Sequence, residues 1–120
     1  MPRPEPAGYE VLGSAPAPEG DGWRLSVRIP ESSPLFAGHF PGHPILPGVA
    51  HLGLVARALA DWQGGKVALA GVRGWKLRQP VKPGETLEVR VTRAGDGGMG
   101  FVLERAGEAV SRGTVEIAWR

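Results

Sequence analysis

With 120 residues, 42% of them hydrophobic and 22% charged, the chain fits one small globular domain spanning 1–120 and is too short for a second core. A net charge of +2 from scattered basic residues argues against a nucleic-acid partner, and the absence of Cys excludes disulfides, thiolate zinc sites and cysteine nucleophiles. There is neither a run of about 18 apolar residues nor a charged-then-apolar leader, so no membrane span is expected and the location reads as cytoplasmic.

Residues 1–8 read as an N-terminal tail. A short strand is expected at Tyr9–Leu12, followed by a Pro/Gly loop at Ala15–Gly22. In Trp23–Ile29, the residues Trp23, Leu25, Val27 and Ile29 alternate with Arg24, Ser26 and Arg28, the pattern of a half-buried strand. A proline-rich connection, Pro30–Pro47, comes next. A helix is predicted over Gly48–Trp62, with Pro47 suited to its first turn and Gly64-Gly65 to its end. It is apolar on nearly every side and must be covered on most of them.

Strands fill the rest of the chain. Val67–Gln79 is long, with Val67, Leu69, Trp75 and Leu77 on one parity. Pro80–Gly84 is a turn. Thr86–Arg93 alternates cleanly, Ala94–Gly98 turns, and Met99–Arg105 is a further strand. Ala109–Trp119 closes the chain, with Val115, Ile117 and Trp119 sharing a face. Short links favour antiparallel neighbours. The expected fold class is therefore α+β: a curled antiparallel sheet around one long helix. A helix so apolar points to a homodimer or a higher oligomer of dimers.

All three histidines, His39, His43 and His51, lie within thirteen residues. A metal site is disfavoured, because His39 and His43 flank Pro41 and Gly42 off any helix, without Cys and with few carboxylates nearby. The expectation is no metal.

The run Phe36-Ala-Gly-His-Phe-Pro-Gly-His-Pro-Ile-Leu-Pro-Gly-Val49 resembles the active-site motif of the 3-hydroxyacyl–acyl carrier protein dehydratases of bacterial fatty-acid synthesis, which have the hotdog fold. A second stretch, Arg78-Gln-Pro-Val-Lys-Pro-Gly-Glu-Thr-Leu87, is similar to that family's "PVxPGD" strand–turn–strand element, with Glu85 in place of Asp. Gly107–Trp119 fits its last hairpin, so the likeness runs from Trp23 to Trp119.

This resemblance implies elimination of water from a 3-hydroxyacyl thioester carried on the phosphopantetheine of acyl carrier protein or coenzyme A, with no other cofactor. His39 matches the catalytic histidine, whose ordinary pKa near neutrality suits a general base. Gly48 matches the glycine whose backbone N–H polarises the thioester carbonyl at a helix N-terminus. Phe40, Pro47 and Val49 beside them are candidate substrate contacts.

One position departs from the pattern. The family's acidic residue stands fourteen places after the histidine, near the partner subunit's histidine, and here that place is Gly53. One turn on, where Gln is usual, stands Arg57, a possible anion-binding auxiliary. At 100° per residue, Gly53, Arg57 and Asp61 share a flank while His51 points about 160° away, so His51 is a poor replacement for the acid. Asp61 is expected to be solvated or paired with Arg. General acid–base assistance is worth roughly 10²–10⁴ in rate. Thioester hydrolysis, and a non-catalytic acyl-thioester binding protein or the inactive partner of a mixed dimer, therefore stand as alternatives to a dehydratase.

Overall fold

The computed structural model describes residues 8–18, 20–36, 44–95 and 97–118. Six strands and one long helix follow in the order β1 (Glu10–Pro16), β2 (Gly22–Arg28), a 3-10 turn (Pro34–Phe36), α1 (Gly48–Gln63), β3 (Ala68–Leu77), β4 (Thr86–Arg93), β5 (Met99–Arg105) and β6 (Glu108–Ala118). One sheet holds all six strands in the order β1-β2-β4-β5-β6-β3, and its five pairings are antiparallel. This is the hotdog arrangement of an antiparallel sheet and one helix.

The alternation seen in the sequence explains the middle of the sheet. Leu25 and Val27 of β2, Leu87, Val89 and Val91 of β4, and Phe101 and Leu103 of β5 are buried, and they meet Leu54, Val55, Ala58 and Leu59 of α1. Fully burying each such aliphatic side chain stabilises by about 1.5–3 kcal/mol. The helix starts at Gly48 and runs one residue past the predicted end. Pro47 is its N-cap rather than a first-turn residue, with extended backbone, and Gly64 closes it at φ 79, its N–H donating to the Ala60 carbonyl.

The edges differ from the sequence reading. β1 begins at Glu10 and continues through Pro16, where a loop was expected. A strand at the sheet's edge tolerates proline, because the N–H it lacks can face outward. At the other edge, β3 spans Ala68–Leu77 rather than Val67–Gln79. Its register against β6 shifts between Leu69 and Gly71 and again between Arg73 and Lys76, across Gly74 at φ 61. Trp75 and Leu77 both lie against Gly48, but Trp75 packs on the core while Leu77 is 54% exposed. Trp119 lies outside the described residues.

The sheet covers one side of the helix only. His51, Leu54, Val55, Ala58 and Leu59 are buried, whereas Val49 is 75% exposed and Gly53 also faces out. No described helix is long and apolar enough to cross a membrane.

Candidate active site

The site is organised around the first turn of α1, whose leading backbone N–H groups have no partner inside the helix. The approach to it is fixed from the second motif. Leu46 is buried, and its N–H donates 2.8 Å to the carbonyl of Val81, which is itself fully buried. Val81 stands in a turn that Glu85 and Arg105 hold together. The Glu85 carboxylate accepts the Lys82 N–H at 2.6 Å and Arg105 Nη1 at 2.9 Å, while Arg105 also donates to the Pro80 carbonyl at 2.7 Å and to Gln79 Oε1 at 2.6 Å. Gly84, at φ 85, donates to the Ile29 carbonyl. Glu85 thus closes the turn from the position immediately before the strand it leads into.

Gly48 is half-buried against β3. A Cβ there would lie 3.1 Å from Trp75 Cη2 and 3.4 Å from Leu77 Cδ1. A side chain at this position would crowd the Trp75 indole. Beneath Gly48 opens a cleft of about 220 Å³, bordered by Ile45, Leu46, His51, Leu77 and Pro80 among others. His51 is 1% exposed and its Nδ1 lies 2.9 Å from Ser111 Oγ, which is fully buried on β6. Burial pushes the His51 imidazole down to about 4, so it is neutral at physiological pH.

His39 and Phe40, the expected base and its neighbour, lie outside the described residues, as does His43. Gly48 and Pro47 stand at the helix start as expected, and Val49 beside them is exposed. Gly53 sits on the outward face, and a Cβ built on it meets nothing within 4 Å. Gly53 thus faces open space among the described residues. Arg57 is engaged: its Nε donates 2.9 Å to Asp61 Oδ1. Asp61 is Arg-paired, as expected, and its Oδ2 also accepts from Ser14 Oγ at 2.6 Å, which in turn accepts Trp23 Nε1 at 2.7 Å. Among the described residues no three metal-ligating side chains gather.

Ser111, Trp75 and Arg105 were not singled out from the sequence. Ser111 did carry a signal, being a polar residue on the parity of Val115 and Ile117, which pack toward the core. Trp75 Nε1 is, among the described residues, the buried side-chain polar atom without a hydrogen-bond partner.

The ApeI dehydratase family model matches residues 15–114. The 3-hydroxyacyl-(acyl-carrier-protein) dehydratase FabZ of Thermus thermophilus is 47% identical over 64 residues, covering 47% of this chain and 45% of the relative. That of Thermomicrobium roseum is 37% identical over 102 residues, covering 74% and 60%. The matches thus span roughly half the length of these curated relatives. In three dimensions the chain is similar to the dehydratase heterocomplex ApeI:P from Xenorhabdus doucetiae, with a TM-score of 0.78, 20% identity, and 91% and 96% of the two chains covered. The PaaI protein of the phenylacetic acid degradation operon of E. coli gives 0.60, 16% identity, and 90% and 84%. These solved structures establish the fold. The family match runs from within β1 to within β6 and takes in the helix start and the turn that props it; the chain belongs to the ApeI-like dehydratase family.

Proposed function

We propose that the protein eliminates water from a 3-hydroxyacyl thioester in fatty-acid metabolism. The observation that carries this reading is Gly48, the first residue of α1, opening on a cleft that a Cβ would crowd. A thioester oxygen there accepts the Gly48 N–H at the positive end of the helix, which stabilises charge as the enolate develops. His39 takes the proton next to the carbonyl. The electrons of that C–H bond become the new carbon–carbon double bond, and the C–O bond to the 3-hydroxyl breaks. The departing oxygen takes a proton, returned from the His39 imidazolium directly or through water, and leaves as water. The step is redox-neutral and asks for no cofactor beyond the phosphopantetheine arm that carries the acyl group. Acyl carrier protein or coenzyme A would bring that arm, in the cytoplasm.

A homodimer belongs to the same reading. Val49 and Gly53 face out from the helix, and β3 is an unpaired edge with Leu77 exposed beside it. The similarity to a structure described as a dehydratase heterocomplex favours a second assembly, in which a different chain supplies the carboxylate that Gly53 lacks.

The test incubates the purified protein with 3-hydroxyacyl and enoyl pantetheine thioesters and follows loss or gain of water and release of thiol by mass. Water exchange that is abolished by His39→Ala supports the dehydratase. Free thiol without an enoyl product means hydrolysis, and unchanged thioester means binding alone.

A further inference from the structure

The buried pair His51 and Ser111 is not used by the mechanism above, yet it borders the same cleft as Gly48. The tautomer follows from hydrogen-bond accounting. Ser111 Oγ is fully buried, and His51 Nδ1 is its one side-chain partner among the described residues. A buried hydroxyl must place its proton on an acceptor, and Nδ1 is the acceptor on offer. Ser111 therefore donates to Nδ1, and a neutral imidazole then carries its proton on Nε2.

Nε2 has no hydrogen-bond partner among the described residues. With Nδ1 held by Ser111, Nε2 is the ring nitrogen left for the cleft that His51 borders. Ile45, Leu46, Leu77 and Pro80 give the cleft apolar walls, and Arg78 and Gln79 also line it. A donor in such a place is satisfied by an occupant bearing an oxygen and penalises one without it.

We propose that His51, held by Ser111, donates through Nε2–H to an oxygen of the acyl group bound over Gly48, so that the site selects acyl groups bearing an oxygen near the thioester over plain acyl groups of the same length. His51 is a substrate-contacting donor here and not the missing acid, because a neutral imidazole that gave up its Nε2 proton would become an anion. The inference rests on the acyl-thioester reading of the cleft. The cleft of about 220 Å³ has room for a short oxygenated acyl group and its carbonyl.

The experiment uses the full chain labelled with ¹⁵N at its three histidines and two probes that resist elimination, the 3-hydroxybutyryl and butyryl amides of the amine analogue of pantetheine. Long-range ¹H–¹⁵N correlations are expected to give the Nε2–H tautomer for His51 in the free protein. Nε2 should shift more with the hydroxylated probe, which should bind about three- to tenfold tighter than the butyryl probe. The double variant His51→Leu, Ser111→Ala removes both members of the pair, so no orphaned hydroxyl remains, and should bind the two probes equally. An Nδ1–H tautomer, or equal binding of the two probes by the native protein, overturns the role of His51 while leaving the acyl-thioester reading in place. No binding of either probe overturns both.

Discussion

Trp75 Cη2 stands 3.1 Å from where a Cβ on Gly48 would lie, so the first residue of the helix is glycine for a reason outside the helix. Such a contact is tight enough that the indole would have to yield by a few tenths of an ångström. Gly48→Ala therefore sets two terms against each other. Alanine favours a helix over glycine by up to about 1 kcal/mol, and overpacking costs about 1–3 kcal/mol. The expected result is a net loss near 1 kcal/mol in urea unfolding, with thioester dehydration down at least about tenfold because the N–H is screened from the carbonyl. In a Trp75→Leu background the stability loss should vanish while the activity loss persists. Recovery of both would show that Gly48 serves packing alone.

Gly53 presents the opposite surroundings, with nothing within 4 Å of an added Cβ. Among the described residues, the first carbon of a Gly53→Glu side chain therefore meets no steric opposition. The backbone term favours the change by about 0.5–1 kcal/mol. The new carboxylate also stands four residues before Arg57, an orientation worth a few tenths of a kcal/mol more. Thermal unfolding should shift upward. If the carboxylate alone is missing from the site, dehydration should rise at least about tenfold, read as enoyl product from a variant shown to keep the native protein's assembly state. A more stable variant with no gain in product would exclude the missing carboxylate as the limit on this site.

The middle of the fold was legible because its physics is local. β4 and β5 obey strict alternation, and both were bounded to the residue. The helix start was legible from Pro47 and Gly48, and its end from the glycine that adopts the left-handed conformation at Gly64. The edges were not. β1 carries Gly13, Ser14 and Pro16, poor strand formers, and is extended because β2 offers it hydrogen bonds. The period of β3 is interrupted by its bulges, and Leu77, beside Gly48 like Trp75, is exposed at the strand's end. The site divides the same way. Gly48 and the lack of an acid at Gly53 were implied by the resemblance of the Phe36–Val49 run, and the helical wheel gave the direction of His51. Its meeting with Ser111, sixty residues on, is tertiary and left only a polar residue on an inward parity as a trace.

Another long-range contact supplies the third prediction. Trp23, Ser14, Asp61 and Arg57 form a hydrogen-bonded chain that ties the edge strand β1 to the helix. Asp61 is its centre, accepting on both carboxylate oxygens. Asp61→Ala leaves Ser14 and Arg57 without that acceptor and should cost about 1–2 kcal/mol, since charged hydrogen bonds exceed neutral ones but these groups are partly solvated. Ser14→Ala should cost less, and the double variant should fall short of the sum. Faster amide exchange confined to β1 is the specific signature; uniform acceleration over the whole sheet would count against a local tie.

The last prediction concerns acid. Burial lowers the His51 imidazole from 6.5 to about 4 in the folded chain, so between those values the unfolded chain binds the proton more readily. Stability then rises with pH across that window and is lost as pH falls from about 6.5 toward about 4. At 1.36 kcal/mol for each unit of difference, the loss attributable to this one group by pH 4 is about 3 kcal/mol. The background is a chain in which carboxylates and the other two histidines also titrate, so the comparison must subtract them. The double variant His51→Leu, Ser111→Ala does so, replacing a buried polar pair with apolar groups. Urea unfolding at pH 7.5 and pH 4.5 should show the native chain losing about 2–3 kcal/mol more than the variant. Equal losses would mean that the imidazole gains water or an acid partner as the pH falls, and that its burial does not penalise the charge.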